Sequence, residues 1–224
     1  MPYYPIFLDI SQASCLIVGA GDVGLRKLGT LLEAGPRLVV LMDTAPPSPS
    51  CAALLADPRV CFTQASFSPA CLQGHSLVFA ATANRAVNAA IAAACQGQGL
   101  WCNCVDAPTE GSFIVPATAK HGSLTATLST GGSSPALARK LRQELEEWLK
   151  PRSSLAALMG KVRPYILSLG LNTAENTRIF RGLIASELQT ALANSNAHQC
   201  ETLLRALLPE AIHPHIVEFL DDLF

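Results

Sequence analysis

Residues Cys15-Leu16-Ile17-Val18-Gly19-Ala20-Gly21-Asp22-Val23-Gly24 decide the fold. Four apolar residues, Cys15 to Val18, read as a parallel strand buried on both faces, and Gly19, Gly21 and Gly24 stand in G-x-G-x-x-G register where that strand turns into a helix. The first glycine permits the tight turn. The second lets backbone amides approach a pyrophosphate, and the third lets the helix pack closely on the strand. The helix N-terminus adds unpaired N–H groups and a partial positive charge, so an anion is favoured there.

The surroundings strengthen this reading. A helix over 23–34 ends at Gly35-Pro36, and Arg37-Leu38-Val39-Val40-Leu41-Met42 forms a second strand that delivers Asp43, 19 positions after Gly24. An acidic residue about 20 positions on suits a ribose 2′-OH and repels a 2′-phosphate, so NAD is expected rather than NADP. Two other readings of the glycines stay open: an ordinary strand–helix turn, and the adenosine pocket of a methyltransferase that uses adenosylmethionine.

With 224 residues the chain has ample core for one large domain or two small ones. A formal charge of −1 gives no general pull toward nucleic acid. Charged residues make up 15%, against a usual share of about 25%, which points to surface covered by a partner subunit. The eight cysteines are scattered without a C-x-x-C pair, and Met1-Pro2-Tyr3-Tyr4-Pro5 has neither a basic start nor an apolar core. A reducing cytoplasmic location is therefore expected. Cys102 and Cys104 read as small buried hydrophobes, the histidines are dispersed, and no metal site is expected. Asn84, Arg85 and Asn88 interrupt the alanine-rich run 77–95, so no membrane span is expected.

Along the chain, Ile6-Phe7-Leu8-Asp9-Ile10 reads as a short strand beside the sheet, 51–56 as a short helix and Arg59-Val60-Cys61-Phe62 as a third strand. Ser76 to Ala81 reads as a fourth strand ending in Thr82-Ala83-Asn84, and a helix over 86–96 leads to a fifth, Leu100 to Val105. Small polar residues at strand carboxyl ends suit a dinucleotide crevice, so Thr82 and Asn103 are candidate cofactor contacts. The alternation predicts a Rossmann-type doubly wound parallel sheet over residues 1–112. Ser112 to Pro116 and Leu124 to Ser129 then read as a hairpin-like pair around Lys120-His121-Gly122, able to pair with a second subunit, and with the helix over 136–149 they form a dimerisation region over 113–150. Three or four helices fill a C-terminal helical domain over 151–224.

Asp106 is the candidate catalytic residue. It sits at the carboxyl end of the fifth strand, where a carboxylate can act as general base when a hydride departs. The loop Ser129-Thr130-Gly131-Gly132 leads into a helix capped by Ser134 with Pro135 at its first position, and its amides are expected to be unpaired and open to an anion. Lys120, Arg139, Lys140 and Arg142 lie near it in sequence, and Glu144, Glu146 and Glu147 are their plain structural partners.

Five blocks in order, Pro5-Ile6-Phe7, Cys15 to Lys27, Cys102-Asn103-Cys104-Val105-Asp106-Ala107-Pro108, Phe113-Ile114-Val115-Pro116-Ala117 and Ser129 to Ala138, resemble the precorrin-2 dehydrogenase family, the dehydrogenase module of siroheme synthases. The resemblance implies NAD-dependent oxidation of precorrin-2 to sirohydrochlorin in a homodimer, with Asp106 catalytic. It carries nucleotide contacts onto Gly19, Gly21, Asp22 and Val23, with Asp43 and Thr44 at the end of strand two. It also offers a polycarboxylate ligand for Lys120, Ser129, Thr130, Gly131, Gly132 and Arg139. Relatives often carry alanine where Gly24 stands, which is expected to be harmless to the turn. Some relatives also insert ferrous iron into the product, an activity that His and Cys spacing here does not decide. A non-catalytic NAD-sensing module is the competing reading, favoured by the helical tail.

Overall fold

The computed structural model describes residues 3–224, which divide into two compact units with the boundary between Val115 and Pro116. In the first unit, β1 (Ser14–Val18), β2 (Leu38–Asp43), β3 (Val60–Gln64), β4 (Leu77–Ala80) and β5 (Trp101–Cys104) form one sheet in the order β3-β2-β1-β4-β5, every pair parallel. The register aligns Val18 with Met42 on one side and with Ala80 on the other.

Both faces of this sheet are covered, which is why β1 is a continuous apolar run and not an alternating one. Cys15 and Ile17 pack with Leu28 and Leu31 of α1 (Asp22–Glu33) on one face. Leu16 and Val18 pack with Ile91, Ala92 and Cys95 of α3 (Arg85–Gly97) on the other. The short α2 (Ala52–Leu55) follows a 3-10 turn at Pro49–Cys51. Because the chain leaves β1 toward β2 and returns to add β4 on the opposite side, the switch point of the sheet lies between β1 and β4. A crevice opens there, outside the carboxyl ends of the strands.

In the second unit, β6 (Ala117–His121) and β7 (Leu124–Leu128) form an antiparallel pair turning at Gly122, whose φ is +55°. Along β7, Leu124, Ala126 and Leu128 are half-buried while Thr125 and Thr127 are exposed, and α4 (Pro135–Leu149) packs against the pair. Helices α5 (Ser153–Ser168), α6 (Thr173–Ala185), α7 (Leu188–Ala193), α8 (Ala197–Leu207) and α9 (Ile216–Leu220) enclose a core of their own, including Leu158, Val162, Ile166, Leu183, Leu204 and Phe219. Each such side chain contributes about 1.5–3 kcal/mol on burial. A reciprocal capping box between Asn172 and Glu175 starts α6.

Three sequence expectations are corrected. Residues 6–10 form no strand: Ile6, Phe7 and Leu8 are exposed, and the Asp9 carboxylate takes the Ser11 N–H at 2.9 Å, closing a turn where a ladder would be needed. The first strand of the hairpin begins at Ala117 and not at Ser112. Ser112 and Phe113 instead strap across β5, with Ser112 N–H donating to the Cys102 carbonyl at 2.8 Å and Asn103 Nδ2 to the Phe113 carbonyl at 3.0 Å. Pro116 then has no N–H to offer a ladder. The C-terminal region holds five helices where three or four were expected, because Ser186 ends α6 in extended backbone and the chain restarts at Leu188.

Candidate active site

The turn after β1 has the geometry its glycines predict. Gly19 has φ +112°, and a Cβ there would lie 2.8 Å from the Thr82 nitrogen and closer still to the Ala81 carbonyl. Its N–H donates to the Met42 carbonyl at 2.7 Å, tying the turn to the end of β2. Gly21, the N-cap of α1, has no side-chain cap, and a Cβ placed on it would have nothing within 4 Å. An uncapped helix start with open space over its glycine is a fit for a pyrophosphate, held by the first-turn N–H groups of Asp22, Val23 and Gly24. At Gly24 a Cβ would run into the Gly19 carbonyl oxygen. Alanine there is therefore not harmless in this chain: the turn itself would have to shift.

Asp43 closes the other side of the turn. Its Oδ2 accepts the Ala20 N–H at 2.6 Å and its Oδ1 the Ala45 N–H at 3.1 Å, with the exposed Thr44 beside it. Burial raises the Asp43 pKa, but the N–H groups of Ala20, Ala45 and Thr44 and the Thr44 hydroxyl outweigh it and hold the carboxyl below its ordinary value. An ionised acid thus stands at the end of β2, where the second strand of such a fold meets a ribose.

Beyond the switch point, Thr82 follows β4. Its N–H and its hydroxyl both donate to Asn88 Oδ1, at 3.1 and 2.7 Å, and Asn88 Nδ2 returns a bond to the Thr82 carbonyl at 3.0 Å. Asn88 is fully buried and, though noted as a polar break in the alanine-rich run, was not read as a site residue. The signal was present: it lies on the same helical stripe as Ile91, Ala92 and Cys95, a polar residue on an apolar face. Asn88→Ala would strand the Thr82 N–H away from water. It should cost about 1–3 kcal/mol, read as a lower midpoint in urea unfolding.

Asp106 follows β5 with its side chain one-third exposed. The Cys104 thiol donates to Oδ1 at 3.3 Å, and Arg85 Nε lies 3.7 Å from Oδ2. Burial pushes the carboxyl upward; the Cys104 thiol, the Asn88 amide, its own backbone N–H and the Arg85 charge together bring it below the ordinary aspartate value. Burial and the neighbouring Asp106 push the Cys104 thiol up, so it stays protonated and serves as donor. Arg85 in turn holds Glu110 through two guanidinium nitrogens. Asn103 is buried, its amide spent on the Phe113 carbonyl. A groove of about 590 Å³ lies beside this cluster, between α3 and residues 109–112, but it includes neither the glycine turn nor Asp106.

The first unit therefore gathers Gly19, Gly21, Asp22, Val23, Gly24, Asp43, Thr44, Thr82 and Asp106 at one edge of one sheet. In the second unit, Gly131 and Gly132 have φ of +61° and +86°. The expectation of unpaired amides there is corrected in part, at Gly131 and at the two residues after Gly132. Ser129 Oγ takes the Gly131 N–H at 3.1 Å, the Thr130 carbonyl takes the Ser133 N–H at 3.0 Å, and Thr130 Oγ1 takes the Ser134 N–H at 3.3 Å. Lys140 and Arg142 pair with Glu144 and Glu146 one turn on, while Lys120 and Arg139 are exposed.

A family model described as putative NAD(P)-binding matches residues 6–117, and one described as sirohaem biosynthesis protein central matches residues 122–147. Siroheme synthase 1 of Aeromonas salmonicida (strain A449) is 34% identical over 212 residues, 94% of this chain and 45% of that protein. The chain belongs to the family described as putative NAD(P)-binding, whose model spans its first half, and it is similar to siroheme synthases over nearly its whole length. A second relative, siroheme synthase of Methylococcus capsulatus (strain ATCC 33009 / NCIMB 11132 / Bath), is 40% identical over 165 residues, covering 73% of this chain and 34% of its own length. The chain thus spans less than half the length of these curated siroheme synthases. Among solved structures, "SirC, precorrin-2 dehydrogenase" superposes with a TM-score of 0.72 at 20% identity, covering 89% of this chain and all of that one, which shows a shared fold. The match of residues 6–117 to a putative NAD(P)-binding model supports a nicotinamide cofactor for the first unit. No helix among the described residues is long and apolar enough to cross a membrane.

Proposed function

We propose that this chain oxidises precorrin-2 to sirohydrochlorin with NAD as the hydride acceptor and Asp106 as the proton acceptor. The observation that carries this reading is the Asp106 carboxylate, ionised and held from two sides, at the same sheet edge as the glycine turn. A bound nicotinamide supplies the two-electron acceptor. As the hydride leaves, the tetrapyrrole becomes a cation and its remaining proton becomes acidic. A carboxylate of low pKa is then basic enough to take that proton, and its charge stabilises the cation as it forms.

Anaerobic mixing of the protein with precorrin-2 and NAD tests the reading: NADH absorbance should rise in step with the sirohydrochlorin spectrum. Cofactor binding without turnover would favour the NAD-sensing module, and stabilisation by adenosylmethionine instead of NAD the methyltransferase. Adding Fe²⁺ or Co²⁺ after the first phase tests metal insertion, which needs a docked macrocycle and a base. The contacts assigned to Lys120, Ser129, Thr130, Gly131, Gly132 and Arg139, the homodimer and the cytoplasmic location belong to this same proposal.

Asp43 supports NAD over NADP, since its charge stands where a 2′-phosphate would come. Asp43→Ser should raise the kcat/KM ratio of NADP to NAD about tenfold or more by removing that repulsion. An unchanged ratio would remove Asp43 from the ribose site.

A further inference from the structure

We infer that Arg85 is a docking residue for a ligand carboxylate beside Asp106, and that Glu110 is the internal placeholder which an incoming carboxylate displaces from it. The inference rests on the reading above for the identity of the substrate, a polycarboxylate tetrapyrrole, but its geometry is independent of that reading.

Arg85 is the first residue of α3, about half exposed, at the carboxyl edge of the sheet. A cation at a helix N-terminus opposes the helix dipole, so the position is a poor one for an arginine kept only for helix stability. Nor is its partnership with Glu110 needed to hold either element. Asn84 caps α3, taking the N–H groups of Ala86 and Val87 at 2.9 and 3.3 Å. The turn that carries Glu110 is fixed by its own backbone: Glu110 N–H reaches the Ala107 carbonyl at 3.0 Å and Ser112 N–H the Cys102 carbonyl at 2.8 Å. Gly111 sits so tightly on β5 that a Cβ there would lie 2.7 Å from the Cys102 carbonyl oxygen.

The pair is thus a solvent-facing, two-pronged guanidinium–carboxylate contact on two elements that are already secured. An exposed pair is open to solvent and to competing anions, so a second carboxylate of matching geometry can take Glu110's place. A ligand carboxylate offers the same two-pronged geometry, and Nε of Arg85 keeps its place near Asp106 while the other two nitrogens change partner. The exchange would bring a carboxylate-bearing ring edge next to the one carboxylate proposed to take a proton.

The test uses uroporphyrin, an octacarboxylate macrocycle that is not oxidised, titrated against the whole chain by fluorescence, with thermal melts confirming that each variant folds. Arg85→Gln should weaken binding about three- to tenfold, and Glu110→Gln should tighten it about threefold by removing the competitor. In the double variant the effect of Glu110→Gln should vanish, because the residue it competes for is gone. Arg85→Lys should recover only part of the loss, since an ammonium lacks the planar fork. The inference is overturned if Glu110→Gln tightens binding equally with and without Arg85, which is general repulsion, or if both single variants weaken binding, which is a structural role. It is equally overturned if neither variant has an effect. These outcomes stand apart from the dehydrogenase reading, which fails only if precorrin-2 and NAD give no NADH with the unaltered chain.

Discussion

Asp106→Asn is expected to lower kcat/KM for precorrin-2 oxidation by about 10²–10⁴-fold, the usual contribution of a positioned acid–base group, while NAD binds with unchanged affinity. The amide keeps the shape of the side chain and can still meet the Cys104 thiol and Arg85, so the loss would measure the missing charge and proton acceptor, not a collapsed crevice. The working form is the carboxylate, which dominates above its pKa. Since the folded environment holds that pKa below the ordinary aspartate value, the acid limb of kcat/KM should lie on the acid side of the ordinary aspartate range, leaving this group ionised across the neutral range. Of the charged and titratable neighbours, Arg85 lowers the Asp106 pKa by charge and Cys104 by its thiol hydrogen bond, with Glu110 paired to Arg85. Arg85→Gln should move the limb to higher pH, and Cys104→Ala should move it the same way. A limb that ignores both changes, or an Asp106→Asn enzyme of nearly full activity, would assign the proton to another group.

How much of this was legible in the sequence follows from what is local. The strand–turn–helix over 14–33 was readable because one short stretch carries both its hydrophobic run and its glycines. The position of Asp106 just past β5 was readable because the buried strand Trp101–Cys104 announces its own end in the sequence. Arg85 and Cys104 were not read as its companions: Arg85 lies 21 positions earlier, and only the pairing of β4 with β5 puts the residues after each strand side by side. Cys104 had been read as a small core hydrophobe, and it is fully buried, but its thiol also reaches the Asp106 carboxylate. The misread segments failed for a different reason. Ile6-Phe7-Leu8 has strand composition, yet composition does not say whether a sheet edge is within reach, and an Asp two residues before a free N–H closes a turn locally. In the 129–134 loop, the hydroxyl groups of Ser129 and Thr130 took the amides of Gly131 and Ser134, which composition alone did not foretell.

The glycine turn allows stability and cofactor binding to be separated by two alanine substitutions of equal size. In Gly19→Ala the new Cβ would stand against the backbone of Ala81 and Thr82, atoms at the end of a central strand that cannot rotate aside, in a residue whose φ of +112° an L side chain resists. Strain at such a position costs about 1–3 kcal/mol and the overpacking about 1–3 kcal/mol more, so the melting temperature should drop by about 10 °C or more. Gly21→Ala meets open space at an ordinary φ of −75°, so its melting temperature should hold to within about 2 °C. Its methyl group would occupy the space through which a pyrophosphate approaches the first turn of α1, and NAD affinity should fall about tenfold or more, measured by calorimetry. The two variants therefore fail in opposite ways if the turn is a dinucleotide cradle. A Gly21→Ala protein that binds NAD as tightly as the unaltered chain would mean that the open space over Gly21 is not where the pyrophosphate lies.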